Sequence, residues 1–265
     1  MVLAMAGFRI GLSMLYCLSE TFHKMTERLQ QVQTKYIELV DDGLHTLNKQ
    51  RVDTLKNIGE SYGLKYSVHS PFADINIASP SKPILKAMLK RLKESIAYAN
   101  ALDAYLWVFH PGLKTGVSMF YPRMDWLQNL KTVRLLLRIA DDYGVEIAIE
   151  NVPEPFPFLM KSVEDFERFY EEVNEDVGMV FDVGHANLNR QMERFLTVFA
   201  DRIVHVHAHD NDRKSDLHWG IGDGTVNWES FGRLLRKISY DKVVVIESVE
   251  NIERCFQKLD ELFAI

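Results

Sequence analysis

The chain is 265 residues long, room for one large domain, and its 47% hydrophobic and 26% charged residues exclude a disordered polar chain. A formal net charge of −6 disfavours a broad basic surface of the kind that holds nucleic acid. Two cysteines, Cys17 and Cys255, rule out a disulfide framework and predict a reducing, cytoplasmic setting.

At the N-terminus the apolar run MVLAMAGFRIGLSMLYCL lacks a basic leader and is interrupted by Arg9, so neither a signal peptide nor a membrane span is expected. Strand-like runs rich in Val, Ile, Phe and Tyr follow at 8–12, 36–40, 65–69, 104–110, 145–150, 178–182, 203–209 and 242–247. Amphipathic helical stretches alternate with them at 21–33, 48–62, 81–102, 125–143, 162–174, 189–200, 228–238 and 251–263. Ser81 ahead of Pro83, and Ser162 with Asp165, mark helix starts; Gly63 and Gly144 sit where a left-handed residue closes a helix. Eight strand-then-helix units predict a parallel sheet, and eight strands are the number that closes. The expected fold is α/β, a single (β/α)8 TIM barrel over residues 1–265. An open, doubly wound sheet is the alternative, but no Gly-rich dinucleotide turn follows the first strand.

The strand ends carry the chemistry. From the third strand onward each finishes in a side chain able to ligate a metal: His69, His110, Glu150, Asp182, His209 and Glu247. His185 follows Asp182 in Phe-Asp-Val-Gly-His, and Asp216 and His218 lie in the loop after strand seven. Taken singly, each has an ordinary reading: a strand-end His that is hydrogen-bonded in a loop, Asp182 as a turn cap, Glu150-Asn151 as a loop brace. In a barrel, however, strand C-termini open on one mouth, and so many carboxylates and imidazoles gathered there call for cations to balance them. His23 and His45 are read as solvated residues and Cys17 as a small buried one. On strand seven His205, His207 and His209 share a face opposite Val204, Val206 and Ala208. Pointing inward, His209 reaches the mouth and His207 lies one layer deeper as a partner of the ligands. Strand eight likewise delivers Glu247 to the mouth above Val243 and Val245.

At these residues the chain resembles the xylose isomerase-like TIM-barrel superfamily, which includes sugar isomerases and epimerases and the endonuclease IV family. The resemblance runs from His69 to Glu247, most specifically through HDNDRKSDLHWGIGDGTVNW at 209–228. Its sugar branch implies one divalent ion (manganese, cobalt or magnesium) held by Glu150, Asp182, His209 and Glu247. There the substrate is a small sugar or sugar phosphate, Glu150 and Glu247 exchange a proton with it, and His185 contacts one of its oxygens. The endonuclease branch implies three zinc ions held by His69, His110, Glu150, Asp182, His185, His209, Asp216, His218 and Glu247, and cleavage of abasic DNA. Phe72, Asn151, Arg213 and Trp219 are the expected substrate-binding residues, and the resemblance to the sugar branch suggests a homo-oligomer.

Three departures favour the sugar branch. Only Arg213-Lys214-Ser215 separates Asn211-Asp212 from Asp216, where the endonuclease pattern has a longer loop. Glu150-Asn151 runs into Val152-Pro153-Glu154-Pro155-Phe156-Pro157 rather than a Gly-Gln-Gly segment, which suits a lid over a small pocket. Phe72-Ala73 stands where the endonuclease carries a two-residue duplex wedge. The expectation is therefore a metal-dependent isomerase or epimerase, with a zinc phosphodiesterase as the first alternative and a non-catalytic metal- or ligand-binding barrel as the second.

Overall fold

The computed structural model describes residues 8–263, so the first residues of the apolar N-terminal run lie outside it. Strands β1 (Arg9–Ser13), β2 (Tyr36–Val40), β3 (Lys65–His69), β4 (Leu106–Phe109), β5 (Ile147–Glu150), β6 (Gly178–Asp182), β7 (Ile203–Ala208) and β8 (Val243–Ile246) close into one barrel in sequence order. All neighbours are parallel, and β8 returns to β1 with Val244 beside Ile10 and Ile246 beside Leu12. The connections run through α1 (Phe22–Leu29), α2 (Lys49–Tyr62), α3 (Lys82–Ala101), α4 (Met124–Tyr143), α5 (Val163–Val173), α6 (Val183–Leu188), α7 (Met192–Val198) and α8 (Trp228–Lys237), and α9 (Ile252–Phe263) follows β8. Among the described residues no helix is long and apolar enough to cross a membrane.

Alternation along the strands decides what lines the interior. Ile37, Leu39, Tyr66, Val68, Trp107, Phe109, Ile147, Ile149, Met179, Phe181, Val206, Ala208, Val244 and Ile246 belong to the main core beneath the helices. Each Val, Leu, Ile, Phe or Met among them contributes about 1.5–3 kcal/mol when fully buried. Their alternates point into the barrel. On β4 to β6 these include Leu106, Val108, Ala148 and Val180, a separate small apolar cluster. Around β2, β3 and β7 they are polar: Glu38, Ser67, His69, His205 and His207, all buried.

Local signals behave as their chemistry requires. Gly63 and Gly144 close α2 and α4 at φ +64° and +65°. Ser162 and Asp165 cap α5 reciprocally, whereas Ser81 precedes α3 without a side-chain cap bond. Other expectations need correction. The fourth, fifth and eighth strands start later than read, because Ala104-Tyr105, Val145-Glu146 and Lys242 are still linker; His110, His209 and Glu247 fall just beyond their strands. The stretch at 189–200 shortens to α7, and α6 precedes it unforeseen: Val-Gly-His-Ala-Asn-Leu is buried almost throughout and has no amphipathic period to read. His45 is buried, not solvated, with Nε2 3.1 Å from the Glu20 carbonyl. His23 is exposed and Cys17 buried, as their types suggest.

Candidate metal centre

Every donor expected from sequence falls into one of three groups at the mouth: His69, His110 and Glu150; Glu150, Asp182 and Glu247 with His207; and His185, His209, Asp216 and His218. Within a group the ligating atoms lie within 4.8 Å of one another. Glu150 belongs to two groups: Oε2 stands 3.4 Å from His69 Nε2 and 3.2 Å from His110 Nε2. Its Oε1 lies 3.4 Å from His185 Nδ1 and 3.2 Å from His207 Nδ1. Strand seven differs in grouping from the expectation. His207, not His209, completes the set around Glu150, Asp182 and Glu247, with Nδ1 3.2 Å from Glu247 Oε2. His209 sits with the third group yet keeps Nε2 3.1 Å from Asp182 Oδ1.

The imidazoles are oriented by the backbone. His69 Nδ1 faces the Ser70 carbonyl at 2.9 Å, His185 Nδ1 the Asn151 carbonyl at 2.8 Å and His218 Nδ1 the Glu247 carbonyl at 2.9 Å. A carbonyl accepts only from N–H, so the proton is on Nδ1 and Nε2 is turned toward the carboxylates. Asp182 does two things at once, capping α6 through Oδ1 to the His185 N–H while Oδ2 has no partner. Glu150 Oε2, His209 Nε2 and Asp216 Oδ1 are also buried without hydrogen bonds. Unpartnered oxygen and imidazole donors pointing together fit divalent cations.

Without cations, protons take their place. Burial opposes charge on His69 and His218, but the Glu150 contact lifts His69 to about 9 and the Asp216 contact lifts His218 to about 9. His185 is raised well above the usual range, its burial outweighed by Asp182 and Asp216. At His110 burial wins and the pKa is lowered. Against their own burial, Glu150 is held down first by His207, Asp182 by His185 and His209, and Asp216 by His185. A raised imidazole contributes stability that is complete below its unfolded value near 6.5 and is lost as pH rises through about 9. The chelator-treated protein should therefore melt progressively lower from pH 6.5 to 9.5. A melting temperature flat across that window would mean that these imidazoles are not ion-paired.

Above the donors lies a cavity of about 530 Å³, of the size that takes a small molecule. Its floor is His69, His110, Glu150, His185, Asp216, His218 and Glu247, and its walls include Leu15, Phe72, Pro153, Phe156 and Phe158. Phe72 thus lines the cavity as expected of a substrate contact, its ring 5.5 Å from that of His69. The other three residues expected to touch substrate do not line it. Asn151 is buried, with Nδ2 donating to the Asp182 carbonyl and Oδ1 accepting from the Asp182 N–H. Arg213 donates to Asn187 Oδ1 and the Thr225 carbonyl. Trp219 pairs its backbone with Asp210. All three brace the loops that carry donors. Leu15, Glu38 and Asp210 were not legible as site residues: an apolar residue after a strand, and carboxylates outside any ligand spacing, carry no distinguishing signal.

Gly184 is required by close approach: a Cβ there would lie 2.0 Å from His209 Cε1. Gly184→Ala should displace the His209 ring and weaken metal binding by about 10–100-fold, the range for a disturbed ligand orientation. Competition with a chromophoric chelator measures this, and unchanged affinity would remove His209 from the donor set.

A closed barrel of parallel strands with a carboxylate and imidazole cluster at its mouth defines the class of (β/α)8 proteins to which this chain is assigned. Residues 27–260 match the family described as xylose isomerase-like TIM barrel, and the chain belongs to that family. It is 31% identical to an uncharacterized protein of Methanocaldococcus jannaschii over 92% of this chain and 93% of that one. It is also similar to a probable endonuclease 4 of Natranaerobius thermophilus, 27% identical over 71% of this chain and 72% of that one. A D-psicose 3-epimerase of Ruminiclostridium cellulolyticum is 21% identical over 83% of this chain and 76% of that one. The crystal structure of a D-tagatose 3-epimerase-like protein superposes with a TM-score of 0.91 at 28% identity, covering 97% of both chains.

Proposed function

We propose that the protein is a divalent-metal-dependent isomerase or epimerase acting on a small sugar or sugar phosphate. The observation that carries this reading is a small, aromatic-walled cavity set directly on Glu150 and Glu247. Likeness to a D-tagatose 3-epimerase-like protein and to a D-psicose 3-epimerase supports it. Glu150, Asp182, Glu247 and a strand-seven imidazole would hold the ion, which supplies polarisation of adjacent sugar oxygens. The chain's own part is proton transfer and exclusion of water. Glu150 and Glu247 stand on different strands' ends, so one removes a proton from a carbon beside a carbonyl while the other returns it on the opposite face. Phe72, Pro153, Phe156 and Phe158 close off solvent over the reacting carbon.

A second reading, a multinuclear zinc phosphodiesterase, is favoured by the donor count: the first and third groups supply His69, His110, His185, Asp216 and His218 beyond what one ion needs. The likeness to a probable endonuclease 4 points the same way. The two readings part on chemistry. Incubated in deuterated water with manganese, cobalt or magnesium and a panel of ketoses, the protein should introduce deuterium at a sugar carbon. Nicking of an abasic duplex in zinc with no carbon exchange would overturn the proposal in favour of the second reading.

A further inference from the structure

Below the mouth, sealed inside the barrel, lies a further donor cluster that shares His207 with the second group: Glu38 from β2 with His205 and His207 from β7. All three side chains are fully buried. His207 Nε2 lies within hydrogen-bond reach of Glu38 Oε2 at 3.2 Å, but the rest of the cluster is unsatisfied. His205 has both ring nitrogens without a hydrogen bond, and Glu38 Oε1 is likewise unpartnered. Yet His205 Nε2 stands 3.2 Å from Glu38 Oε2, and His207 Nε2 stands 3.1 Å from Glu38 Oε1. Charge-assisted N–H···O contacts close to about 2.7–2.9 Å. Separations of about 3.3 Å are also those between donors around an ion with tetrahedral bonds of about 2.0–2.1 Å.

The geometry points to a buried cation site formed by Glu38, His205 and His207, one layer below the centre at the mouth and joined to it through His207. Its chemistry, two imidazoles and one carboxylate, suits zinc or cobalt(II). The ring of His207 faces both places: Nδ1 stands 3.2 Å from Glu150 Oε1 and 3.2 Å from Glu247 Oε2, while Nε2 faces Glu38. Ser67 Oγ donates to Glu38 Oε2 at 3.2 Å, and Tyr105 Oη donates to Ser67 Oγ at 3.3 Å, fixing the carboxylate in place. An ion here balances Glu38 and answers the orphaned Nε2 of His205, which a proton on His207 leaves unanswered.

Burial sets the test. At the mouth the side chains of His110, His218 and Asp216 are 21%, 18% and 16% exposed, whereas Glu38, His205 and His207 are all at 0%. An inner ion is therefore taken up as the chain folds and exchanges only when the barrel opens. Protein refolded with zinc or cobalt(II) and then treated natively with EDTA should keep about one ion per chain, released by unfolding in guanidinium. The Glu150→Gln/Glu247→Gln double variant should keep that ion, and His205→Phe should lose it. No ion held by the native protein after EDTA, loss of the ion in the mouth double variant, or retention in a folded His205→Phe would each overturn the site. If His205→Phe does not fold, the first two measurements decide.

Discussion

Glu247→Gln is expected to lower carbon–hydrogen exchange by about 10²–10⁴-fold at saturating metal, the usual contribution of one positioned acid–base group. Gln keeps the shape of the side chain and removes only the charge and the proton it carries. Glu247 is buried at the rim and lines the cavity, and its backbone carbonyl orients His218. That second contact survives the substitution, so the donors of the third group stay in place. The loss should fall on kcat, with substrate affinity changed far less, because the group acts on a proton in flight. Exchange within tenfold of the parent, measured with the metal site loaded, would show that Glu247 carries no proton.

Asp210→Ala should cost roughly 3–5 kcal/mol and lower the melting temperature by about 10 °C, although Asp210 does not line the cavity. The carboxylate is buried in the loop after β7 and accepts four hydrogen bonds. Asn211 N and Val226 N reach Oδ1 at 2.9 and 3.0 Å; Gly222 N and Trp228 Nε1 reach Oδ2 at 3.1 and 2.8 Å. Alanine strands all four donors in a space with little water, and unmet buried donors are the expensive kind. The same carboxylate fixes the path of the chain from 209 to 228, on which Asp216 and His218 ride. Binding of metal to the third group should therefore weaken with the stability loss. A thermal melt and a chelator competition test both points; a variant that melts like the parent would show that the loop is held by its other contacts, the Asn211 and Arg213 bonds and the backbone bridge to Trp219.

The barrel was legible because each strand is a short β-rich run and each helix an amphipathic one, two periods that do not resemble each other. The donors at the mouth were legible because a barrel brings strand ends together whatever lies between them in sequence. Hidden from sequence were features that depend on register and depth. His207 and His209 differ by two residues on one face, and only the pairing of Asp182 with His207 across β6 and β7 shows which stands beside Glu150. Glu38 carries no site signal in the sequence; with Ile37 and Leu39 under the helices, its side chain falls inside the barrel. Asn151, Arg213 and Trp219 have the polar and aromatic types that bind substrates, but their hydrogen-bonding capacity is taken up by neighbouring loops.

The loops after β4 and β5 are stitched to each other, with Leu113 bridged to Phe158, Lys114 N donating to the Pro157 carbonyl and Leu159 N to the Gly112 carbonyl. His110 stands at the root of one loop, and Pro153, Phe156 and Phe158 belong to the other. Substrate range and ligand geometry are thereby inherited as a single cassette. A transplant of the aromatic segment from a relative should function only when residues 110–119 travel with it, and recombination between the two loops should yield barrels that fold but handle neither metal nor substrate well.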